Sequence, residues 1–220
     1  MIQLKNITKS FSKSDSKNIL YENMDFEVKS WEFIAIVWRS GSGKSTILNL
    51  ISGLLSPDSG EIYLDNQEIT KLSQDEMTKT RGKNMSFIFQ QFHLIPNLTV
   101  NENITLPIEI NKIQPAFSTE QILQKVWLRE KSENYPFELS GWEQQRVAVA
   151  RAFAAQTNIL LADEPTGNLD EKNAKNVMDI LLKLHKETKN TIILITHDMQ
   201  VAQYADKIYT LEDKQLIQKK

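Results

Sequence analysis

Residues 37–46 read VWRSGSGKST. From Gly43 onward they match the end of the pattern G-x-x-x-x-G-K-[ST], a loop whose backbone amides wrap phosphate oxygens. The one departure is Trp38, at the pattern's first glycine. Gly41 and Gly43 let the backbone come close to an anion, and Lys44 supplies a point charge. Ser45 offers a hydroxyl to Mg²⁺, and a helix starting there turns its positive end to the phosphates. Arg39, Ser40, Ser42 and Thr46 complete the loop. The plain alternative is a Gly/Ser turn with no ligand, but EFIAIV before the loop reads as a strand and the residues after it as a helix. That context is what the motif requires.

Outward from the loop, strands and helices alternate. Apolar or β-branched runs at Glu32–Val37, Met85–Phe89, Asn158–Asp163, Thr191–Thr196 and Lys207–Leu211 predict strands. Several lack alternation, which marks strands buried on both faces of a parallel sheet. Helices are predicted at Lys44–Leu54, Gly141–Ala155, Glu171–Glu187 and Met199–Tyr204. The succession argues for a doubly wound α/β core. IQLKNI, YENMDFEV and GEIYLD alternate apolar with polar residues and predict an antiparallel sheet beside that core. Between Gln91 and Ser140 no strand is readable. A helical subdomain inserted at approximately 91–157 is expected, with Ser118 and Gln121 as a capping box. The 220 residues suit a single domain spanning 1–220.

Composition excludes several classes. A formal charge of −2 gives no whole-molecule attraction to nucleic acid or anionic lipid, so no nucleic-acid partner is expected. With no cysteine there are no disulfides or thiolate metal sites. MIQLKNITKSF reads as a strand rather than a signal peptide, and no apolar run reaches the ~18 residues of a membrane helix. Work at a membrane would therefore go through a partner. Lys219 and Lys220 read as a solvated tail.

Two further stretches carry chemistry. NILLADEPTGNLD ends an apolar run in Asp163–Glu164, placing two carboxylates at the carboxyl edge of a strand, where α/β sheets bind ligands. Asp163 suits Mg²⁺, directly or through water, and Glu164 suits a general base toward water. A helix cap or a solvated pair is the plainer reading of an isolated Asp-Glu. ELSGWEQQRVAVARA opens a helix at Ser140–Gly141. It is either an N-capped helix and nothing more, or a second anion site at a helix tip.

Together these residues resemble the ATP-binding subunit of ABC transporters over essentially the whole chain. VWRSGSGKST resembles the Walker A loop, ILLADE the Walker B strand, LSGWEQQR the family signature and GNLD, with Asp170, the D-loop. Gln90 in FIFQQFHLIP matches the Q-loop glutamine and His197 in ITHD the switch histidine; His93 reads as a surface or packing residue. Phe11 is either an adenine-stacking ring or an ordinary strand residue. FQQFHLIPNLTVNENITLPI with ADEPTGNLD is most similar to macrolide-exporter and lipoprotein-release ATPases. The resemblance implies a P-loop NTPase (RecA-like) fold that binds and hydrolyses ATP with Mg²⁺, held by Ser45, Gln90 and Asp163. Glu164, His197, Gln90 and Lys44 would carry catalysis. Two copies would face head to tail, with ATP between one copy's loop and the other's Ser140–Gly141. A membrane permease would be the partner, and the cytoplasmic face of the plasma membrane the place of work. The alternative is a non-hydrolysing nucleotide-binding scaffold or sensor, if Trp38 and Trp142 act as they stand.

All four tryptophans fall on glycine seats. Trp31 links two strands in VKSWEF, Trp127 ends an apolar helix in ILQKVWLREK, Trp38 opens the phosphate loop, and Trp142 follows Ser140–Gly141 at the helix tip. Glycine itself numbers seven, where average usage predicts about fifteen. Two explanations stand: independent drift, or UGA codons read as tryptophan in a lineage that decodes them as glycine.

Overall fold

The structure, a computed structural model, describes residues 2–13, 16–38 and 44–220, without the side chains of Ser12, Lys13, Ser16, Lys17 and Lys44. Arg39, Ser40, Gly41, Ser42 and Gly43 of the loop lie outside the described residues. The chain divides into two compact units, residues 1–81 with 191–220, and residues 82–190.

The first unit opens with β1 (Ile2–Lys13), β2 (Ser16–Val28) and β3 (Phe33–Val37), followed by α1 (Lys44–Ile51). Next come β4 (Ser59–Leu64), β5 (Gln67–Glu68) and α2 (Gln74–Asn84), which runs past the unit boundary. The second unit holds β6 (Met85–Phe89), α3 (Val100–Asn111), α4 (Thr119–Lys125), α5 (Gly141–Ala154), β7 (Ile159–Asp163) and α6 (Glu171–Thr188). The chain then returns to the first unit through β8 (Thr191–Thr196), α7 (Met199–Ala202), β9 (Lys207–Glu212) and β10 (Gln215–Gln218).

In the first unit β2, β1, β4 and β5 form the expected antiparallel sheet in that order. Its inward residues alternate along β1: Ile2 and Leu4 are buried, whereas Lys5 is exposed. The strand before the phosphate loop, β3, runs parallel between β8 and β9. Phe33, Ile34, Ala35 and Ile36 are all buried, as are all six residues of β8, which is the continuous burial expected of parallel strands. In the second unit β6 pairs with β7 in parallel, from Met85 opposite Ile159 to Phe89 opposite Asp163. Residues 91–157 contain helices and short 3₁₀ turns but no strand among the described residues.

Predicted boundaries of the parallel strands agree to within one residue, whereas β1 runs on to Lys13 beyond IQLKNI and β2 starts at Ser16, ahead of YENMDFEV. Helix ends agree less well: α1 stops at Ile51 rather than Leu54, and α7 at Ala202 rather than Tyr204. Both helices give way to turn backbone beyond those residues. The sequence reading missed α2, whose polar residues bury only Met77, and the β10 strand. The C-terminal lysines are exposed but are not a loose tail. Lys219 donates its amide to the Ile208 carbonyl at 2.7 Å, and Lys220 donates Nζ to the Ala205 carbonyl at 2.7 Å.

Candidate functional site

In the first unit the phosphate loop is launched from the edge of the parallel strands. Trp38, one residue past β3, donates its amide to the Thr196 carbonyl at 3.2 Å. The start of the loop thus lies one residue from His197, which follows β8 and is exposed. The first turn of α1 carries Ser45, exposed, and Thr46, buried. Phe11 stands on β1 with 42% of its surface exposed and the Lys9 ammonium 5.5 Å from its ring centre.

In the second unit β7 ends in Asp163, half-buried, and the next residue, Glu164, is buried with φ of +45°. Positive φ is uncommon for a glutamate and here redirects the chain sharply at the strand's end. The Glu164 carbonyl accepts the amide of Gly167 at 3.1 Å, closing a tight turn. Gly167 matters for what it lacks. A Cβ there would lie 2.9 Å from Gln90 Nε2 and 3.2 Å from Glu164 Oε2. The glutamine of one predicted motif and the carboxylate of another therefore converge over a bare backbone. Gln90 is held by Asn168. Its Nε2 donates to Asn168 Oδ1 at 3.1 Å, and Asn168 Nδ2 donates to the Gln90 carbonyl at 2.9 Å. Within GNLD the sequence singles out Asp170 and carries no signal for Gly167 or Asn168. Asp170, two residues on, caps α6 by accepting the Asn173 amide at 2.9 Å. Hydrogen bonds from the Asn173 amide and side chain hold its carboxyl below the usual range.

Ser140 is the N-cap of α5. Its amide and hydroxyl both donate to Glu143, at 2.8 and 2.6 Å. Burial pushes the Glu143 carboxyl up, but those two bonds outweigh it and leave it below its ordinary value. An anion arriving at this helix tip meets a hydroxyl already given to Glu143 and must take it over.

The four tryptophans divide by backbone. Trp31 has φ of +68° and Trp127 of +56°, whereas neither Trp38 nor Trp142 is left-handed. Trp38 is buried, its ring edge-on to Tyr21 with centroids 6.2 Å apart. Trp142 lies in the first turn of α5 beneath Arg146, whose guanidinium carbon is 3.8 Å from the ring centre. Burial pushes Arg146 down to about 10, with Glu143 opposing. The same guanidinium donates to the Val126 carbonyl at 2.9 Å and the Trp127 carbonyl at 3.3 Å.

Among the described residues no helix is long and apolar enough to cross a membrane. A family model described as ABC transporter matches residues 21–167. The ABC transporter ATP-binding protein MJ0796 of Methanocaldococcus jannaschii is 43% identical over 221 residues, covering 97% of this chain and 94% of that protein. The lipoprotein-releasing system ATP-binding protein LolD of Idiomarina loihiensis is 36% identical, covering 97% and 95%. The macrolide export ATP-binding/permease protein MacB of Chlorobaculum tepidum is 38% identical over 97% of this chain, which spans 33% of that longer protein. A solved dimeric structure of MJ0796 in a post-hydrolysis state, bound to ADP and Pi, superposes with a TM-score of 0.88 at 40% identity, covering 100% of this chain and 98% of that one. With β3 and α1 flanking the phosphate motif and Asp163–Glu164 at the end of β7, the chain belongs to the ABC transporter ATP-binding family.

Proposed function

We propose that the chain is one ABC ATPase domain that binds and hydrolyses ATP to drive a membrane permease of the export or lipoprotein-release kind. The observation that carries this is the convergence of Gln90 and Glu164 over Gly167, a carboxylate and an amide set together at a strand's end. The reading is supported by the names of the LolD and MacB relatives, and by a bacitracin export ATP-binding protein, BceA, 36% identical. Work at the cytoplasmic face of the membrane, through the permease, follows from the same reading.

In this proposal Lys44 and the amides of Arg39, Ser40, Gly41, Ser42 and Gly43 hold the phosphates, with Thr46 closing the loop, and Phe11 stacks on the adenine. Glu164 accepts a proton from the attacking water, and His197 stabilises charge developing on the terminal phosphate. A carboxylate from Asp163, the Gln90 amide and the Ser45 hydroxyl are hard oxygen donors and fit Mg²⁺. Bound there, Mg²⁺ neutralises phosphate charge. Ser140, Gly141 and Asp170 serve the nucleotide of a second copy, so that two chains close around two ATP molecules. The solved MJ0796 relative is dimeric, which supports that arrangement. Glu164, Gln90 and His197 are all present and speak against the non-hydrolysing scaffold, which rests on Trp38 and Trp142 alone.

The test uses Glu164→Gln in the chain with glycine at 38 and 142. Loss of ATP turnover together with an ATP-dependent dimer in size-exclusion chromatography is expected. Undiminished turnover in that variant overturns the assignment.

A further inference from the structure

Two tryptophans sit in turns whose hydrogen bonding is that of a glycine position. At Trp127, α4 ends in a Schellman turn: the Trp127 amide bonds the Gln124 carbonyl at 3.2 Å, and the Leu128 amide bonds the Leu123 carbonyl at 2.9 Å. Leu123 and Leu128, the apolar residues at the positions the motif pairs, are both buried. The residue between them, at φ +56°, is the seat where glycine predominates. At Trp31, the third residue of the turn from Lys29 to Glu32, φ is +68° while Ser30 is not left-handed, the backbone of a type II turn. That position also calls for glycine. Neither indole gains burial in exchange for the strained backbone: Trp31 is 65% exposed and Trp127 60%.

Left-handed backbone alone is not decisive in this chain. Asn6, Asn23, Asp65 and Asp213 adopt it as small polar residues do. Phe92 adopts it as a bulky one, so an aromatic ring there is not unique to the tryptophans. What sets the tryptophans apart is that all four in the chain stand where glycine is called for, 31 and 127 by their backbone and 38 and 142 by their place at anion-binding positions. Trp38 replaces the first glycine of a phosphate-loop pattern. Trp142 places an indole in the first turn of a helix whose free amides invite an anion. Independent loss of four glycines would yield several residue types rather than tryptophan each time.

We infer that the functioning protein carries glycine at 31, 38, 127 and 142, each tryptophan being one reading of a UGA codon that its lineage decodes as glycine. Glycine at 31 and 127 relieves both left-handed turns. At 38 it removes a buried ring from the foot of the loop. At 142 it removes the indole from the first turn of α5, while Arg146 retains its bonds to the Val126 and Trp127 carbonyls. The backbone evidence at 31 and 127 is independent of the ATPase proposal, so either conclusion can fail without the other.

The experiment is tandem mass spectrometry of peptides spanning the four positions, on protein purified from the cells that encode it, together with its intrinsic fluorescence. Glycine at all four positions and emission from the five tyrosines only is the expected result. Tryptophan at any of the four, or a UGG codon at any of them, overturns the inference.

Discussion

Gln90 and Asn168 exchange two hydrogen bonds across 78 positions of sequence, the glutamine amide donating to Asn168 and the Asn168 amide returning to the Gln90 backbone. This reciprocal clamp fixes where the Gln90 amide sits relative to Glu164. Asn168→Ala removes both bonds without touching a core residue, since Asn168 is exposed. In the chain with glycine at 38 and 142, kcat is expected to fall by about tenfold with little change in melting temperature, as for a misplaced positioning group. An unchanged kcat in a steady-state ATPase assay contradicts this role.

Gly167→Ala tests the same convergence from beneath. The added methyl would stand 2.9 Å from Gln90 Nε2, and the far end of that flexible side chain can move aside. Folding should therefore survive while turnover drops, again by roughly tenfold or more. Circular dichroism and ATPase rate measured on the same preparation check both halves.

The left-handed turns make a stability prediction that concerns no active-site group. Relief of an αL conformation is worth roughly 1–2 kcal/mol, offset by glycine's larger unfolded-state entropy of roughly 0.5–1 kcal/mol. Trp31→Gly and Trp127→Gly should each raise stability by about 1 kcal/mol, or roughly 2–4 °C in melting temperature for a chain of this size. Trp31→Ala and Trp127→Ala keep the strained φ and should give no such gain. Equal effects from alanine and glycine would show that removing the ring, rather than relieving the backbone, is responsible.

Trp38→Gly combined with Trp142→Gly should restore ATP-dependent dimerisation and raise turnover at least roughly tenfold over the tryptophan chain, because oriented amides at both sites regain access to phosphate. Light scattering with and without ATP in the Glu164→Gln background, alongside turnover with Glu164 intact, provides the comparison.

Asp58 offers a pH prediction. Hydrogen bonds from the Ser10 hydroxyl and the Lys9 ammonium, with the Ser10 amide, hold its carboxyl down to about 2. A depressed carboxylate contributes stability above its unfolded value of about 3.9 and loses that contribution as the pH falls toward about 2. The urea midpoint of the parent chain should therefore exceed that of Asp58→Asn at neutral pH and approach it below about pH 4. A gap that stays constant with pH would assign the difference to packing instead.

Much of this was legible in the chain because burial leaves a direct imprint. The parallel strands announce themselves as unbroken apolar runs, FIAIV and TIILIT, and β8 is buried at every residue. Ser118 and Gln121 form the capping box their spacing implies. The helix α2 was not legible because only Met77 is buried along QDEMTKTRGKN, which leaves no periodic apolar stripe. The roles of Gly167 and Asn168 were hidden for a different reason. A contact between residues 90 and 168 has no local pattern, and a glycine needed for close approach looks like any turn glycine. Trp31 and Trp127 could be suspected from their neighbours, but only φ values separate a left-handed turn from a tolerated loop.

Arg146 gives the helical part of the second unit a mechanical character. Its guanidinium grips carbonyls at the end of α4 while its own backbone lies in the first two turns of α5. Any tilt of the α5 tip toward a neighbouring molecule's triphosphate drags the α4 terminus along. Events at the tip are thus converted into displacement of a more distant surface, with one buried cation as the linkage pin.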